Sequence, residues 1–272
     1  MRRAAGRLNT VGRLELAAII AAAIVVATVA VLPLLLKHGP LDLVDVPLKH
    51  PSGAHLLGTD EQGRDVFTRV VYGMRTSLWA AAAVIASGVL VGGVIGLVAG
   101  IAGGLLDAVL MRLTDLFLAL PGPLLVLAIV AALGPGLTNT LIGISVIWWP
   151  YYARIVRGQV RAIVVLPHVE AARLGGAGRL RVALRHVLPG AWSPIVVGAS
   201  LDVGNLVLLL AALSFLGLGS PEPAPELGAM TALGLTYLFT SWWVAVAPAA
   251  GVFALAFLGN LAGDAIRDLI GG

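Results

Sequence analysis

Long, uninterrupted apolar runs constrain this chain more than any other feature. Six runs are apolar over the roughly 20 residues that a helix needs to cross a bilayer. They cover residues 14–36, 78–102, 109–133, 137–155, 190–215 and 242–262. Strands of a membrane barrel alternate apolar and polar residues over about ten positions, and these runs do not. Because backbone polar groups must be paired within the bilayer, we expect an all-α, polytopic bundle of six transmembrane helices.

Composition supports a membrane protein and excludes several function classes. The 272 residues are 59% hydrophobic and 12% charged, about half the charge fraction of a soluble domain. The net charge is +4, but the arginines lie beside apolar runs, where membrane topology explains them better than nucleic-acid binding does. The chain has no cysteine, which excludes disulfides, thiolate metal sites and cysteine catalysis. His50, His55, His168 and His186 are scattered, so we expect no metal site in this chain.

The distribution of arginines predicts the orientation of the helices. Four arginines in residues 1–13 precede the first run, which is too long for the apolar core of a cleaved signal peptide. Residues 154–185 hold the largest basic excess and are expected in the cytoplasm. The arginines in this segment are Arg154, Arg157, Arg161, Arg173, Arg179, Arg181 and Arg185. The segments 37–77, 134–136 and 216–241 then lie outside, and both termini lie in the cytoplasm.

This orientation divides the chain into four predicted regions. Residues 1–13 form a cytoplasmic tail, 14–36 the first transmembrane helix, and 37–77 an extracytoplasmic segment. Residues 78–272 form a five-helix core that contains a cytoplasmic loop at 160–189. The multi-pass arrangement predicts a cytoplasmic membrane protein in contact with lipid.

Polar residues within or beside the runs are few. Asp107 and Asp115 lie near a predicted membrane interface, while Asp202 and Asn205 lie deeper and are candidates for a transport pathway. Asp202 either faces a watery cavity or a partner subunit, or it contacts substrate. A secondary transporter usually needs more ionisable groups at membrane depth. An intramembrane enzyme needs convergent catalytic side chains, which the runs lack.

Glycines at four-residue spacing mark the second run. Gly88, Gly92 and Gly96 form two successive Gly-x-x-x-Gly patterns, which allow close approach of helix backbones. We expect them to pack helices within this subunit; a surface that slides during a conformational change is the alternative.

The segment between the fourth and fifth runs predicts two short helices. Pro167 is suited to a first helical position, and the acid Glu170 favours a helix N-terminus. The glycines at 175, 176 and 178 end this helix, and residues 179–187 form a second, basic one. Leu188-Pro189 is expected to end the second helix and turn the chain back into the membrane. A helix, turn and helix on the cytoplasmic face can dock into a groove on a soluble partner.

The spacing within this segment is specific. Glu170-Ala171-Ala172, then Gly176, then Leu188-Pro189 resembles the EAA loop of ABC importer permeases, with Val187 in its aliphatic position. Two further stretches resemble the C-type permeases of dipeptide, oligopeptide and nickel importers. They are His55-Leu56-Leu57-Gly58-Thr59-Asp60-Glu61-Gln62-Gly63-Arg64-Asp65, which continues to Gly73-Met74-Arg75-Thr76-Ser77-Leu78, and Ala211-Ala212-Leu213-Ser214-Phe215-Leu216-Gly217-Leu218-Gly219. The resemblance extends from residue 55 to 268.

This resemblance implies a function and a set of partners. Such permeases have the MetI-like fold, form a pathway with a second, B-type permease, and receive substrate from an extracytoplasmic binding protein. The resemblance also implies one or two partner ATPase subunits that bind ATP and Mg²⁺. This chain has no Gly-x-x-x-x-Gly-Lys-Ser/Thr loop, so we expect it to have no catalytic site or cofactor of its own. The expected cargo is a di- or oligopeptide, and nickel or another small solute is the alternative. The prokaryotic inner membrane is the implied location.

The resemblance also assigns roles to residues. Those expected to couple the chain to the ATPase are Glu170, Ala171, Ala172, Gly176, Leu188 and Pro189. In the outer stretch, Asp60, Glu61, Arg64 and Asp65 either pair among themselves or contact the binding protein and the gate. Two departures stand out: Leu174-Gly175-Gly176 replaces the common Ala-Leu-Gly, and Leu210 stands where many relatives carry an acid.

Overall fold

The computed structural model describes residues 2–271, and the side chains of residues 2–11, 13 and 271 lie outside what it describes. The predicted arginine-rich tail at 1–13 falls almost entirely on these side chains. The described residues form ten α-helices, one π turn and one 3₁₀ turn, and the longest non-helical connection covers residues 36–65. They are α1 (Arg2–Leu35), α2 (Val66–Ala102), α3 (Gly104–Ala119), α4 (Gly122–Leu133), α5 (Leu137–Val164), α6 (Pro167–Leu174), α7 (Arg179–Arg181), α8 (Leu188–Phe215), α9 (Leu227–Gly234) and α10 (Trp243–Gly271). No strand occurs among these residues, so the all-α prediction is confirmed.

Fewer helices are long and apolar enough to cross a membrane than the predicted six. Within residues 2–271, four meet this description: Leu14–Leu35, Val66–Ala102, Arg179–Phe215 and Trp243–Ile270. The bent pair of α3 and α4 adds a fifth if the two are counted as one span. The run at 137–155 lies in α5, whose Thr, Asn, Trp, Tyr and Arg side chains lower its mean hydropathy. Six spans are therefore not confirmed.

The predicted span at 109–133 is not one straight helix. It is interrupted between α3 and α4, whose axes differ by 87°. Leu120 has an extended backbone (φ −88°, ψ 140°), as expected for a residue that precedes a proline. Pro121 lacks the N–H that would continue the α3 ladder, and α4 begins afresh at Gly122. The prediction of a continuous span was wrong because this proline signal outweighs the apolar pattern.

A second correction concerns Leu188-Pro189, which does not turn the chain. The helix that begins at Arg179 runs without a sharp bend to Phe215. A π turn at Val182–Val187 leads directly into α8. In a regular α-helix the ring of Pro189 would clash with the carbonyl of Arg185, and the wider π turn shifts the hydrogen-bond register immediately before it. The proline is therefore absorbed within one long helix.

The chain divides into two compact units. The first comprises Met1–Ala82, Val130–Thr140 and Ser200–Gly272, and the second comprises Ala83–Ile129 and Leu141–Ala199. In the first unit, α10 packs against α1 and α9. It also lies close to α8, because a Cβ on Gly204 would lie 2.7 Å from the carbonyl oxygen of Ala256.

In the second unit, glycines bring α2 and α5 into contact. A Cβ on Gly92 would lie 2.2 Å from the Trp149 carbonyl oxygen, and one on Gly96 would lie 2.5 Å from that of Ala153. Gly88 approaches the ring of Tyr152 in the same way, at 3.1 Å. The prediction that these glycines pack helices within the subunit is confirmed.

Candidate functional site

The segment predicted to be cytoplasmic begins with α6, and residues at both ends of this helix define where it starts and stops. Pro167 occupies the first turn after an extended Leu166, as predicted. At the other end Gly176 has φ +84°, a conformation that favours glycine. The amide of Gly176 donates to the Arg173 carbonyl (3.0 Å) and that of Ala177 donates to the Ala172 carbonyl (3.0 Å). These bonds close the helix and reverse the chain toward α7.

One face of this segment is buried against its own unit. Val169, Val182 and Val187 are 0–2% exposed and pack with Val156 and Val160 of α5. Val187 is the residue that sequence comparison placed in the aliphatic position of the loop. The valines anchor α6 and the π turn on α5, so the segment has a defined orientation rather than that of a loose loop.

The opposite face is exposed and contains most of the predicted coupling residues. Glu170, Ala171 and Gly176 are exposed, and Ala172 is half-buried. Around them the segment exposes large apolar side chains, each 41–85% accessible: Val165, Leu166, Leu174, Leu180 and Leu184. The segment therefore combines exposed apolar side chains with an exposed carboxylate, which is compatible with a docking surface. Leu188 is half-buried and Pro189 exposed, one to two turns along the helix from Leu184.

Three of the seven arginines predicted to lie in the cytoplasm form ion pairs that the sequence did not indicate. Arg157 donates from Nε and Nη2 to both carboxylate oxygens of Asp107, which is 4% exposed. Arg161 donates to the same carboxylate at 2.6 Å. One turn earlier on α5, Arg154 pairs with Asp115 at 2.6 Å, where both side chains are about half exposed. The two aspartates join α3 to α5 within the second unit.

The outer motif folds into a compact charged cluster in the first unit. Asp60 accepts from Arg64 Nε at 2.6 Å and lies 3.3 Å from Arg69 Nε, while Arg64 Nη2 donates to Glu61 at 3.0 Å. Arg64 is 2% exposed. Arg69 also donates to the carbonyls of Pro40 and Pro223 (3.0 and 3.1 Å).

A second set of bonds joins this cluster to the start of α2. Asp65 Oδ2 accepts from the Thr68 amide at 2.8 Å, and its Oδ1 lies 3.0 Å from His55 Nδ1. Asp45, 3.4 Å from His55 Nε2, is also paired with Lys49, and this hydrogen bond lowers the pKa of Asp45. The structure thus brings the four predicted outer residues together and pairs them internally. A contact with the binding protein or the gate remains a prediction.

Sequence reasoning missed Glu226. Its carboxylate accepts from the amides of Gly228 and Ala229 (3.2 and 3.1 Å) and caps α9. The residue is fully buried, beside Ser214 and Gly219 of the second outer motif. Burial raises the pKa of Glu226 against the opposing effect of these hydrogen bonds. Glutamate is not among the residues preferred at an N-cap, so the sequence carried only a weak signal.

The pathway candidates lie on α8 in the first unit. Asp202 is buried and Asn205 is exposed, three residues apart on adjacent positions of one helix face. Whether they contact substrate stays a prediction. Within residues 2–271, no group of three or more His, Asp or Glu side chains is arranged to hold a metal ion.

Comparisons with known proteins agree on one family. The family described as "Binding-protein-dependent transport system inner membrane component" matches residues 92–271. The probable D,D-dipeptide transport system permease protein DdpC of Escherichia coli (strain K12) is 40% identical over 240 residues, which is 88% of this chain and 80% of that protein. The di/tripeptide transport system permease protein DppC of Pseudomonas aeruginosa (strain UCBPP-PA14) is 41% identical over 79% of this chain and 71% of that protein.

A solved structure resembles the fold. A chain of the MetNI methionine ABC transporter in an inward-facing conformation has a TM-score of 0.58, with 22% identity, over 74% of this chain and 95% of that chain. At this identity the likeness concerns the fold alone.

Proposed function

This chain belongs to the family of binding-protein-dependent transport system inner membrane components, and on that premise we propose that it conducts peptides across the membrane. It is a multi-pass permease subunit of an ABC importer in the cytoplasmic membrane. The relatives named above are di- and tripeptide transport proteins, which supports a di- or oligopeptide cargo. Nickel or another small solute is not favoured by these relatives.

The proposed assembly contains partners that perform the steps this chain does not. A second, B-type permease completes the pathway, and an extracytoplasmic binding protein delivers the peptide. One or two ATPase subunits bind ATP and Mg²⁺ and hydrolyse ATP. In this proposal the outer cluster contacts the binding protein or the gate through Asp60, Glu61, Arg64 and Asp65. The proposed pathway residues are Asp202 and Asn205 of α8.

The observation that carries the proposal is the two-faced cytoplasmic segment. Valines anchor one face on α5, while Glu170 and Ala171 are exposed and Ala172 is half-buried, and the same segment exposes large apolar side chains. Small alanines allow a partner to approach the α6 backbone closely, while Glu170 can accept charge-assisted hydrogen bonds. Because the anchored segment continues through Leu188 and Pro189 into α8, movement of a docked ATPase is transmitted to a membrane helix.

We propose that six segments cross the membrane and that both termini lie in the cytoplasm. α3 and α4 together form one broken span, and α5 crosses despite its lower hydropathy. Non-helical backbone at membrane depth is tolerated where protein or water covers it, which is compatible with the break at Pro121. The four predicted regions, 1–13, 14–36, 37–77 and 78–272, follow from this arrangement.

The proposal is tested with the importer reconstituted with its ATPases and binding protein. The Glu170→Gln/Gly176→Ala variant should hydrolyse ATP without importing labelled dipeptide, because the coupling face is altered while the subunit remains inserted. Gly178→Ala is the matched control: Gly178 has φ −65°, and a Cβ there meets nothing within 4 Å. Wild-type uptake by the double variant would contradict the coupling role. Uptake without ATPase subunits would contradict the importer assignment.

A further inference from the structure

The seven cytoplasmic arginines divide into two sets with different surroundings. Arg154, Arg157 and Arg161 of α5 are paired with aspartates of α3. The other four belong to the docking segment and form no ion pair with any carboxylate that the structure describes. They are Arg173, Arg179, Arg181 and Arg185. Positive-inside topology requires only the presence of arginines, so it does not explain why one set is neutralised and the other is left available.

Two of the available arginines border a cleft in the second unit. Its volume is about 320 Å³, at the small end of the range for ligand pockets. It is lined by Ile101, Ala102, Arg173, Ala177, Arg179 and Val182. The buried Val182 and the closed turn at Ala177 fix its walls, so the cleft is part of the anchored segment.

The chemistry of this cleft selects an anion. Arg173 and Arg179 lie on opposite sides of the glycine turn, and both are exposed. Guanidinium groups bind carboxylates in a forked, bidentate geometry. Both arginines line the same cleft, so an anion that enters it can be bound by two guanidinium groups, and Ile101 and Val182 supply apolar wall beside them.

We propose that this cleft receives an acidic side chain, aspartate or glutamate, from the ATPase subunit that docks on the segment. The inference rests on the proposed function and specifies the chemistry of the partner at that site. In the cleft, arginines of this chain would bind an acid of the partner, whereas Glu170 would bind a basic group of the partner. Two contacts of opposite sign fix the register of docking, because a shifted partner would bring like charges together.

Helix length favours a protein over a lipid headgroup as the source of the anion. The continuous helix Arg179–Phe215 has 37 residues, which at about 1.5 Å per residue span roughly 55 Å. A bilayer with its headgroups is about 40–45 Å thick. The helix is therefore longer than this thickness, and the basic residues at its start, Arg179, Arg181 and Arg185, favour that end as the one that extends into the cytoplasm, where a soluble subunit is found.

The test measures the affinity of the importer's own ATPase subunits for the permease complex in nanodiscs. The Arg173→Ala/Arg179→Ala variant is compared with Arg181→Ala, which removes an exposed, unpaired arginine that does not line the cleft. In neutral phosphatidylcholine nanodiscs the double variant should lose about tenfold or more in affinity, and Arg181→Ala less than about threefold. Raising the salt concentration should weaken wild-type binding more than binding by the double variant.

Arg173→Lys/Arg179→Lys separates charge from geometry, since it should recover the part of the lost affinity that depends on charge and not the part that depends on the bidentate guanidinium geometry. Unchanged affinity in the double alanine variant would overturn the inference. A loss that appears only when anionic phosphatidylglycerol is present would also overturn it and assign the cleft to a lipid headgroup. Either result leaves the proposed function standing if Glu170→Gln/Gly176→Ala still uncouples uptake. Failure of the wild-type permease to bind the ATPase would instead contradict the proposed function.

Discussion

The Asp107 ion pairs allow a quantitative test of how the second unit is held together. Asp107→Asn keeps the size of the side chain but removes the charge that binds Arg157 and Arg161. Three hydrogen bonds reach this carboxylate, which is almost completely buried. The variant leaves two guanidinium groups facing a neutral amide that also carries donors.

The magnitude follows from the exposure of each partner. Hydrogen bonds to charged groups contribute about 1.5–3 kcal/mol. The Arg157 side chain is 28% exposed, so its hydrogen bonds to Asp107 should contribute nearly their full free energy. The Arg161 side chain is 50% exposed, so solvent largely screens its contribution. We therefore expect Asp107→Asn to lower the free energy of unfolding by about 2–3 kcal/mol.

Asp115→Asn is the matched control, because its single ion pair with Arg154 is about half exposed on both sides. It should cost about 0–1 kcal/mol. The assay is denaturant-induced unfolding of the purified permease in detergent micelles, followed by tryptophan fluorescence. Equal unfolding midpoints for the two variants would refute the reasoning that burial of the carboxylate makes the Asp107 pairs the stronger ones.

Three further predictions concern other packed groups. Burial raises the pKa of Glu226, so its contribution to stability is present at low pH and is lost as pH rises through the folded pKa. Glu226→Gln should therefore flatten the dependence of the thermal unfolding temperature on pH between acid and neutral pH. An unchanged pH dependence in this variant would contradict the prediction. Gly96→Ala should reduce the thermal stability of the permease, because its Cβ would lie 2.5 Å from a carbonyl oxygen. Gly93→Ala is the control and should be neutral, since nothing lies within 4 Å of a Cβ there. Equal effects would show that α2 and α5 are not packed as described. Asp60→Asn should destabilise by about 2–4 kcal/mol in the same unfolding assay, since it leaves the buried Arg64 charge without its closest partner, and a loss below 1 kcal/mol would show that solvent reaches Arg64.

Local sequence signals predicted much of the fold and of the cytoplasmic site. The start of α6 at Pro167 and the turn at Gly176 follow from the conformations available to proline and glycine. The glycine spacing predicted close helix packing by α2, and the structure identified α5 as its partner. The same local logic would have predicted the break at Pro121, but the length of the apolar run obscured it.

Other features depend on which residues become neighbours in space. Arg157 and Asp107 are 50 residues apart, and nothing near either one indicates the other. The arginines at 154–185 all appear alike in the sequence, yet only α5 faces the aspartates of α3, so only its arginines are neutralised. The burial of Glu226 beside the second outer motif is equally non-local.

The sequence by itself determined that this is a helical membrane protein, and it predicted a helix, turn and helix as its docking segment, whereas the anchoring of that segment on α5 appeared only in the structure. Membrane insertion and helix boundaries depend on hydropathy and backbone conformation, which each stretch of chain carries within itself. Only the tertiary structure decided which charges are paired and which are available, because ion pairing and burial depend on distances across the fold. It also decided that the helix passes through Pro189, since a π turn must form just before it to accommodate the ring.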